Sequence, residues 1–385
     1  MYIGLHNMTN QLIFLLLSLS LLSANTAIAE DGITKNRILI GQSITLQGGK
    51  NDYGVAVMDG IETYLNVVNL RGGVNGRQII LKTLDDDNNT DKAEANARQL
   101  IEKEKTFILF GSIEGGPSNA VMKASNNLKV PFFGPLAGAP TLRRPHQPLV
   151  FPVRAEHRDE FHAMLMQAKS FGLRKVAFLR SDSEVGGLHL ANVKLICDEL
   201  GMKLVLDMPF KSDVKDAQLD AYAQLVGATG AQIVLNHGGI GVYETLIRKM
   251  RARGVQASIY AVNSGSAQLA KHLGPLAQGI IFSQVVPSPW EKKTAITREY
   301  QEEFTKAKPR QEFSYGSLEG YITAKALVLA LRHAGPDLTR TGFVSALSHA
   351  TFDLNGMKIS YKPNNHQGLT FVDLSIVTHD SKFRH

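Results

Sequence analysis

Six segments rich in glycine, serine and asparagine follow apolar runs of the sequence, at points where a strand would turn into a helix. They are residues 45–54, 111–118, 134–140, 180–187, 236–241 and 263–266. In such turns, backbone N–H groups point out of the first turn of the following helix, and they bind carboxylates and similar anions well. One segment of this kind is typical of an ordinary strand–helix turn. Six in one chain indicate a ligand-binding cleft.

The second of these segments, Gly115-Gly116-Pro117-Ser118, has the clearest binding chemistry. Pro117 is predicted at the first helical position, surrounded by N–H groups and the Ser118 hydroxyl, which favours a carboxylate or another strongly polar acceptor. Glu114 directly precedes this turn. An acid there is also typical of a helix N-terminus, so its role as a ligand contact or as a helix-end acid stays open.

Motifs for catalysis and for metal binding are lacking. The twelve histidines are scattered without an H-x-x-x-H or H-E-x-x-H pair, and Asp85-Asp86-Asp87 lacks the alternating acids of a calcium loop. The glycines of residues 72–76 precede a strand, which is the wrong context for a dinucleotide site. Cys197 has no partner for an internal disulfide and is predicted to be buried. We therefore expect a binding protein with no cofactor and no metal rather than an enzyme.

Apolar runs alternate with amphipathic segments from residue 37 onward. The six glycine-, serine- and asparagine-rich segments therefore lie between predicted strands and helices. The predicted strands are residues 38–42, 78–84, 107–110, 130–133, 175–179, 204–208, 232–235 and 258–262, with C-terminal strands at 357–361 and 371–377. The predicted helices are residues 54–69, 91–104, 117–128, 193–200, 243–253 and 318–333. Apolar strands alternating with helices are typical of parallel sheets covered on both faces, which predicts a doubly wound α/β fold.

The alternation divides into two similar halves near residues 150–154, and no flexible linker separates them. Residues 279–286 are a second candidate crossing between the halves. We predict a signal peptide over residues 1–29, a first lobe of residues 30–151 with 283–356, and a second lobe of residues 152–282 with 357–385. Two lobes joined by more than one crossing predict a hinged cleft.

Composition excludes several other classes of protein. The 385 residues are 44% hydrophobic and 20% charged, with one cysteine, which excludes disordered, collagen-like and disulfide-stapled chains. The net charge of +7 comes from basic residues scattered among acids, so we expect a solvated face and no nucleic-acid binding. The apolar run of residues 12–22 is too short to span a bilayer and precedes Ala27-Ile28-Ala29, which together predict a cleavable secretory signal.

Several segments in this order resemble the leucine/isoleucine/valine-binding family, the type 1 periplasmic solute-binding proteins of ABC importers. They are Asn69–Arg77 followed by Asp85–Asp87, Gly134–Arg143, Phe151–Ala155, Ser317–Lys325 and Tyr361–Gly368. The resemblance covers nearly the whole mature chain. It implies two α/β lobes joined by hinge crossings, a small-molecule ligand, permease subunits as partners and a periplasmic location.

The resemblance also implies which residues form the pocket. Tyr53 resembles an aromatic residue that packs on the ligand, and the turn at 115–118 resembles one that holds the ligand carboxylate. Gly239 falls where the amino-acid binders have an aromatic residue, and Asn263 falls near their acid for the α-ammonium. With further loop residues, the candidate ligand-binding set is Gln47, Tyr53, Glu114, Gly115, Gly116, Ser118, Ala137, Ala139, Asp182, Gly239 and Asn263.

Two departures from the family pattern affect the expected ligand. Ala137 and Ala139 lack the hydroxyl of the matching family loop, and residues 262–266 contain no acid for an ammonium group. Substitutes for that acid are Glu114, Asp182, Glu184 and Glu244. We expect a monomeric solute-binding component of a branched-chain-amino-acid-type importer, which captures an amino acid or a related small carboxylate or amide. The alternative is a sensor of the same fold that signals rather than transports.

Overall fold

Two sheets organise the part of the chain that the computed structural model describes, which is residues 30–48, 51–380 and 382–385. The predicted signal peptide, residues 1–29, lies outside the described residues. The first sheet has five parallel strands in the order β2-β1-β3-β4-β5. Its strands are β1 (Arg37–Ile44), β2 (Gln78–Asp85), β3 (Ile108–Phe110), β4 (Phe132–Phe133) and β5 (Val150–Phe151).

Three helices connect these strands: α1 (Asn51–Leu70), α2 (Thr90–Glu102) and α3 (Gly115–Leu128). Helix α2 starts at Thr90 because the Asn89 side chain accepts a hydrogen bond from the Lys92 N–H and so caps the first turn. Helix α3 ends at a left-handed residue, Lys129. A short 3-10 turn over Pro140–Leu142 follows β4.

The second sheet has seven strands in the order β14-β13-β10-β9-β8-β6-β7. The five strands β10, β9, β8, β6 and β7 run parallel to one another. Strand β13 is antiparallel to β10, and β14 is antiparallel to β13. The strands are β6 (Lys175–Ser181), β7 (Lys203–Phe210), β8 (Ile233–His237), β9 (Ser258–Ala261), β10 (Ile281–Gln284), β13 (Asp373–Val377) and β14 (Phe383–Arg384).

Helices cover both faces of the second sheet and bury two apolar clusters against it. They are α4 (His157–Ser170), α5 (Glu184–Leu200), α6 (Asp216–Ala228), α7 (Ile240–Ala252) and α8 (Ser266–Leu273), followed by a 3-10 turn over Gly274–Ala277. Cys197 lies buried in α5, as predicted.

The chain then returns to the first sheet as α9 (Ala295–Ala307), α10 (Tyr315–His333), α11 (Arg340–Leu347) and the hairpin β11 (Thr351–Asp353) and β12 (Lys358–Ser360). Helix α10 packs against α1 backbone to backbone. A Cβ atom at Gly60 would lie 1.8 Å from the Ser317 carbonyl oxygen, and one at Gly320 would lie 2.1 Å from that of Val57. Only glycine allows this approach. One apolar cluster therefore joins β1, α1 and α10.

The predicted strands and helices are confirmed, with differences at their ends. Helix α3 begins at Gly115, so Pro117 is its third residue and the prediction that it occupies the first helical position is wrong. Helix α5 begins at Glu184, nine residues before the predicted start at Val193, because Ser183 caps it. The predicted strand at 357–361 pairs with β11 in a separate hairpin rather than in either main sheet.

The division into two lobes with boundaries at residues 151, 282 and 356 stays a prediction. The core cluster of the first sheet includes Met357, Ile359, Tyr361 and Leu369, which that division assigns to the second lobe.

Candidate functional site: a polar cluster and a cavity between the sheets

Arg154 lies buried where the chain passes from β5 of the first sheet to α4 of the second, with 3% of its surface exposed. One of its terminal nitrogens, Nη2, donates to a carboxylate oxygen of Glu160 and to Oδ1 of Asn263, the latter at 3.0 Å. Its Nε lies 3.7 Å from Oε1 of Glu319. Such a buried cation needs an anionic partner, and here two carboxylates surround it.

The Glu160 carboxylate, in the first turn of α4, accepts hydrogen bonds from several elements of the second sheet. The Ser283 hydroxyl donates to Oε2 at 2.5 Å and the Asn263 backbone N–H donates to the same atom at 3.3 Å. Oε1 lies 2.8 Å from Nδ1 of His157. These contacts hold Glu160 in a fixed orientation although it is fully buried.

The other carboxylate, Glu319, comes from α10 on the first-sheet side. The Tyr53 hydroxyl donates to its Oε2 at 2.7 Å, and the Asn263 side-chain amide donates to the same atom at 3.0 Å. Burial raises the pKa of Glu319 above its ordinary value, and burial also raises the pKa of Tyr53. We call Tyr53, Arg154, Glu160, Asn263 and Glu319 the interface cluster. It joins residues from both sheets and contains one basic and two acidic side chains.

A cavity of about 1690 Å³ adjoins the interface cluster, and both Tyr53 and Asn263 line it. The first-sheet side contributes the start of α1 and the segment that leads into α10, while α8 lines the opposite side. Trp290 and Phe383 stack at one end with ring centroids 6.2 Å apart. The side-chain amide of Gln268 donates to Oδ1 of Asn51 at 3.2 Å, which is a further bond from the second-sheet side to the first. The cavity therefore lies between the two sheets.

The structure separates the sequence-predicted binding residues into groups. Tyr53 and Asn263 meet at the cavity through their shared contact with Glu319. Gln47, Asp182 and Gly239 are exposed and are not among the residues that line it. A side chain at Gly239 would meet open space, so the missing aromatic residue there leaves room rather than a clash.

The residues of the turn before α3 are not among those that line the cavity. Glu114 has a left-handed backbone, with φ 64° and ψ 145°, which is costly for a residue with a side chain. The Ser118 hydroxyl is fully buried and donates to the Ile113 carbonyl at 3.4 Å. Ser112, which the sequence did not single out, has a buried hydroxyl with no hydrogen-bond partner among the described residues.

The loop after β4 directs its carbonyl groups at an arginine. Nη1 of Arg143 donates to the carbonyl oxygens of Ala137 and Ala139 at 3.5 Å and 3.3 Å, and its Nη2 donates to that of Arg154 at 2.8 Å. Burial lowers the pKa of Arg143 to about 10. The carbonyl groups of two candidate ligand-binding residues, Ala137 and Ala139, thus contact a buried guanidinium.

The wider identity of the chain follows from a family model described as periplasmic binding protein, which matches residues 37–380. The match spans the first sheet and all of the second sheet except its last strand. The chain belongs to this family. Its fold and family are those of substrate-binding proteins, and the predicted resemblance and fold class are confirmed.

Individual relatives agree with this assignment. The chain is 24% identical over 288 residues to Leu/Ile/Val-binding protein homolog 7 of Brucella abortus, covering 71% of each protein. A possible leucine/isoleucine/valine-binding protein from Rhodopirellula baltica SH 1 has the same fold, with a TM-score of 0.83, 23% identity, and coverage of 93% of this chain and 98% of the other. An ABC transporter solute-binding protein of R. palustris, solved in complex with benzoate, aligns with a TM-score of 0.77, 19% identity, and coverage of 91% and 95%.

None of the four acids named as substitutes in this binding protein lines the cavity. Glu184 is exposed at the start of α5, and Glu244 pairs with Arg248 at 2.9 Å on the outer face of α7. Sequence reasoning missed Glu160 and Glu319, which reach Asn263 from two distant helices. The only local signal was an acid in an otherwise apolar helix at Glu319.

In the part of the chain that the structure describes, none of the helices combines the length and the apolar composition needed to cross a membrane.

Proposed function

We propose that this chain is the periplasmic solute-binding component of a branched-chain-amino-acid-type ABC importer, which captures an amino acid or a related small carboxylate or amide between its sheets. The observation that carries the proposal is the cavity, which residues of both sheets line and which adjoins the interface cluster through Tyr53 and Asn263. A cleft that two halves form together is the arrangement in which closure buries a ligand.

The charges of the interface cluster support a ligand that has both an ammonium and a carboxylate group. Glu160 and Glu319 together exceed the single positive charge of Arg154, so an added cation would balance the cluster. Glu319 therefore replaces Glu114 as our candidate for the acid that is missing from residues 262–266. Arg154 offers a guanidinium for a carboxylate, and the benzoate-bound relative is consistent with a carboxylate ligand.

Export through the predicted signal peptide of residues 1–29 supports a periplasmic location and a permease as partner. The protein acts as a monomer and returns its ligand chemically unchanged. Closure on the ligand creates the surface that the permease recognises, and the contacts of Gln268 with Asn51 and of Asn263 with Glu319 already join the two sides of the cleft.

A binding panel tests the ligand class. The chain is collected from the periplasm, stripped of any co-purified ligand by reversible unfolding, and assayed by thermal shift and calorimetry. Branched-chain amino acids are compared with their 2-oxo and des-amino analogues and with amides. We expect amino acids to bind, and Glu319→Gln to weaken them much more than their des-amino analogues. Glu114→Gln is the matched control, because it makes the same chemical change at an acid outside the interface cluster.

Two results would contradict the proposal on the ligand. Equal affinity for amino acids and des-amino analogues would remove the ammonium from the recognition chemistry. A larger effect of Glu114→Gln than of Glu319→Gln would restore Glu114 as the acid. Small-angle scattering of the same samples should give a smaller radius of gyration with ligand than without it, and an unchanged radius at saturation contradicts closure.

Transport is tested separately from binding. Uptake of the identified solute is measured in cells with and without the gene for this chain. We expect uptake to fall in the deletion strain and to return with the wild-type chain but not with a Tyr53→Ala variant. Normal uptake together with a lost transcriptional response to the solute would favour the sensor alternative.

A further inference from the structure

Three histidines that are far apart in the sequence meet beside the interface cluster. His157 begins α4, His189 lies within α5 and His237 ends β8. Each offers a ring nitrogen, and these three nitrogens lie within 4.8 Å of one another. The ring centroids of His189 and His237 are 3.9 Å apart, and those of His157 and His237 are 4.5 Å apart. Because the histidines were scattered along the sequence, we expected no such group.

His189 is the member of this group whose position most needs an explanation. It is fully buried, and neither ring nitrogen has a hydrogen-bond partner among the described residues. Leaving such polar atoms buried and unsatisfied is rare and unfavourable in folded proteins. A ring nitrogen without a hydrogen-bond partner has a lone pair of the kind that transition-metal ions bind.

The surroundings of the group have the features of a metal site. Nδ1 of His157 lies 2.8 Å from Oε1 of Glu160, and a carboxylate on the outer nitrogen of a ligand histidine fixes the ring and raises its basicity. The ring of Phe161 packs against all three imidazoles, with centroids 5.6–6.2 Å away. An apolar wall of this kind limits the access of water and strengthens coordination.

We propose that His157, His189 and His237 bind a divalent transition-metal ion of the class that prefers imidazole, with Zn²⁺ as the reference ion. Three histidine nitrogens at about 2.0–2.1 Å from tetrahedral zinc are separated by roughly 3.3 Å. The observed separations need to shrink by at most about 1.5 Å, which small side-chain rotations supply. Three protein ligands leave a fourth coordination position for water or for an exogenous donor.

The metal site adjoins the first sheet without taking ligands from it. The His157 backbone N–H donates to the Gly138 carbonyl at 3.0 Å, and a Cβ atom at Gly138 would lie 2.7 Å from that same nitrogen. Gly138 therefore permits the loop after β4 to lie directly against the histidine group. A bound metal ion would brace α4, α5 and β8 beside this loop. This proposal is independent of which solute the cavity binds.

The test uses the full mature chain without a polyhistidine tag. After removal of metals with a chelator that is then dialysed away, ZnCl₂ is titrated by calorimetry, and the bound metal is counted by mass spectrometry. His189→Phe removes both ring nitrogens and keeps an aromatic ring of similar shape. His162→Phe is the matched control, because it makes the same change at a half-buried histidine of α4 that is not part of the group.

We expect one zinc ion per wild-type chain, and a fall in affinity of about 100-fold or more for His189→Phe, with the control unchanged. Zinc at a hundredfold above Kd should raise the melting temperature of the wild type by about 5 °C. Without metal, His189→Phe should melt no lower than the wild type, because it removes two unsatisfied polar atoms.

Equal zinc affinity in the wild type and His189→Phe would overturn the proposal, as would the absence of saturable binding to the wild type. If His189→Phe fails to fold, His237→Ala gives the same decision, because His237 is only half-buried at the end of its strand. Retained wild-type affinity in that variant would also overturn the assignment.

Discussion

Replacing Arg154 by methionine tests whether the interface cluster is an electrostatic unit. Methionine keeps a long flexible side chain and removes the charge and every hydrogen bond of the guanidinium. The change leaves Glu160 and Glu319 buried without their cation. Breaking a buried ion pair from one side costs about 3–5 kcal/mol, because the remaining charge has lost both water and partner.

We therefore expect the Arg154→Met variant to lose about 3–5 kcal/mol of unfolding free energy at pH 7.5. With about 2 °C of melting temperature per kcal/mol, at the lower end of the range because the chain is long, this is a fall of roughly 6–10 °C. Arg154→Lys keeps the positive charge but lacks the planar guanidinium group. Its unfolding free energy should lie between those of the wild type and Arg154→Met.

Removing the charge of one unpaired carboxylate should restore part of the unfolding free energy that Arg154→Met loses. Glu319→Gln retains an oxygen that can accept from the Tyr53 hydroxyl and the Asn263 amide but has no charge. In the double variant we expect at least about 1 kcal/mol of recovery relative to Arg154→Met, the size typical of coupling between contacting groups. Trp290 is the single tryptophan of the chain, so its fluorescence reports urea unfolding for the wild type and for each variant.

Two results would refute the electrostatic account. A loss below about 1 kcal/mol for Arg154→Met would mean that the cluster tolerates two unpaired carboxylates. Strictly additive losses in the double variant would mean that Arg154 and Glu319 do not interact energetically. Either result would also remove the charge argument for an ammonium-bearing ligand.

Three further predictions concern Tyr53, Glu319 and Glu114. Tyr53→Ala should weaken ligand binding by about 1–3 kcal/mol in calorimetry, while Tyr222→Ala, at a tyrosine that does not line the cavity, should leave affinity unchanged. Burial raises the pKa of Glu319, so the native state binds its proton more tightly than the unfolded chain. The unfolding free energy of the wild type should therefore rise relative to that of Glu319→Gln as the pH falls through the raised pKa towards the ordinary value near 4.5. An unchanged difference would contradict this assignment. Glu114→Gly should raise the melting temperature by about 1–4 °C, since it relieves backbone strain of about 1–3 kcal/mol at a small entropic cost, and a lower melting temperature would show that the side chain contributes more than the strain costs.

The sequence was sufficient to predict the elements that depend on local patterns. The strands of both sheets are short apolar runs, and such a run predicts a buried strand without knowledge of its neighbours, as for Ile38 and Ile40 in β1. Helix ends were less predictable, because more than one residue near the end of a helix can act as its cap. Ser183 begins α5 well before its apolar stripe becomes regular, and Glu114 precedes α3 with a backbone conformation that its residue type disfavours.

The interface cluster could not be predicted in the same way, because its members share no local spacing. Asn263 was found through its place after a strand, whereas Glu319 and Glu160 lie in helices and reach it only through tertiary packing. The histidine group could not be predicted for the same reason. Histidine pairs at helical spacing are visible in a sequence, but His189 and His237 come together from a helix and a strand.

The packing of α1 against α10 has a consequence for synthesis of the protein. Tyr53 and Glu319, which these helices bring together, are 266 residues apart in the chain. At about 5–20 residues per second, ribosomes need roughly 10–50 s to make the intervening chain. Throughout that interval the first strands have no α10 to cover them, and their apolar side chains are open to chaperones. A nascent chain that cannot complete its first core is still unfolded when an export channel must thread it, so the late position of α10 matches the requirements of secretion that we propose.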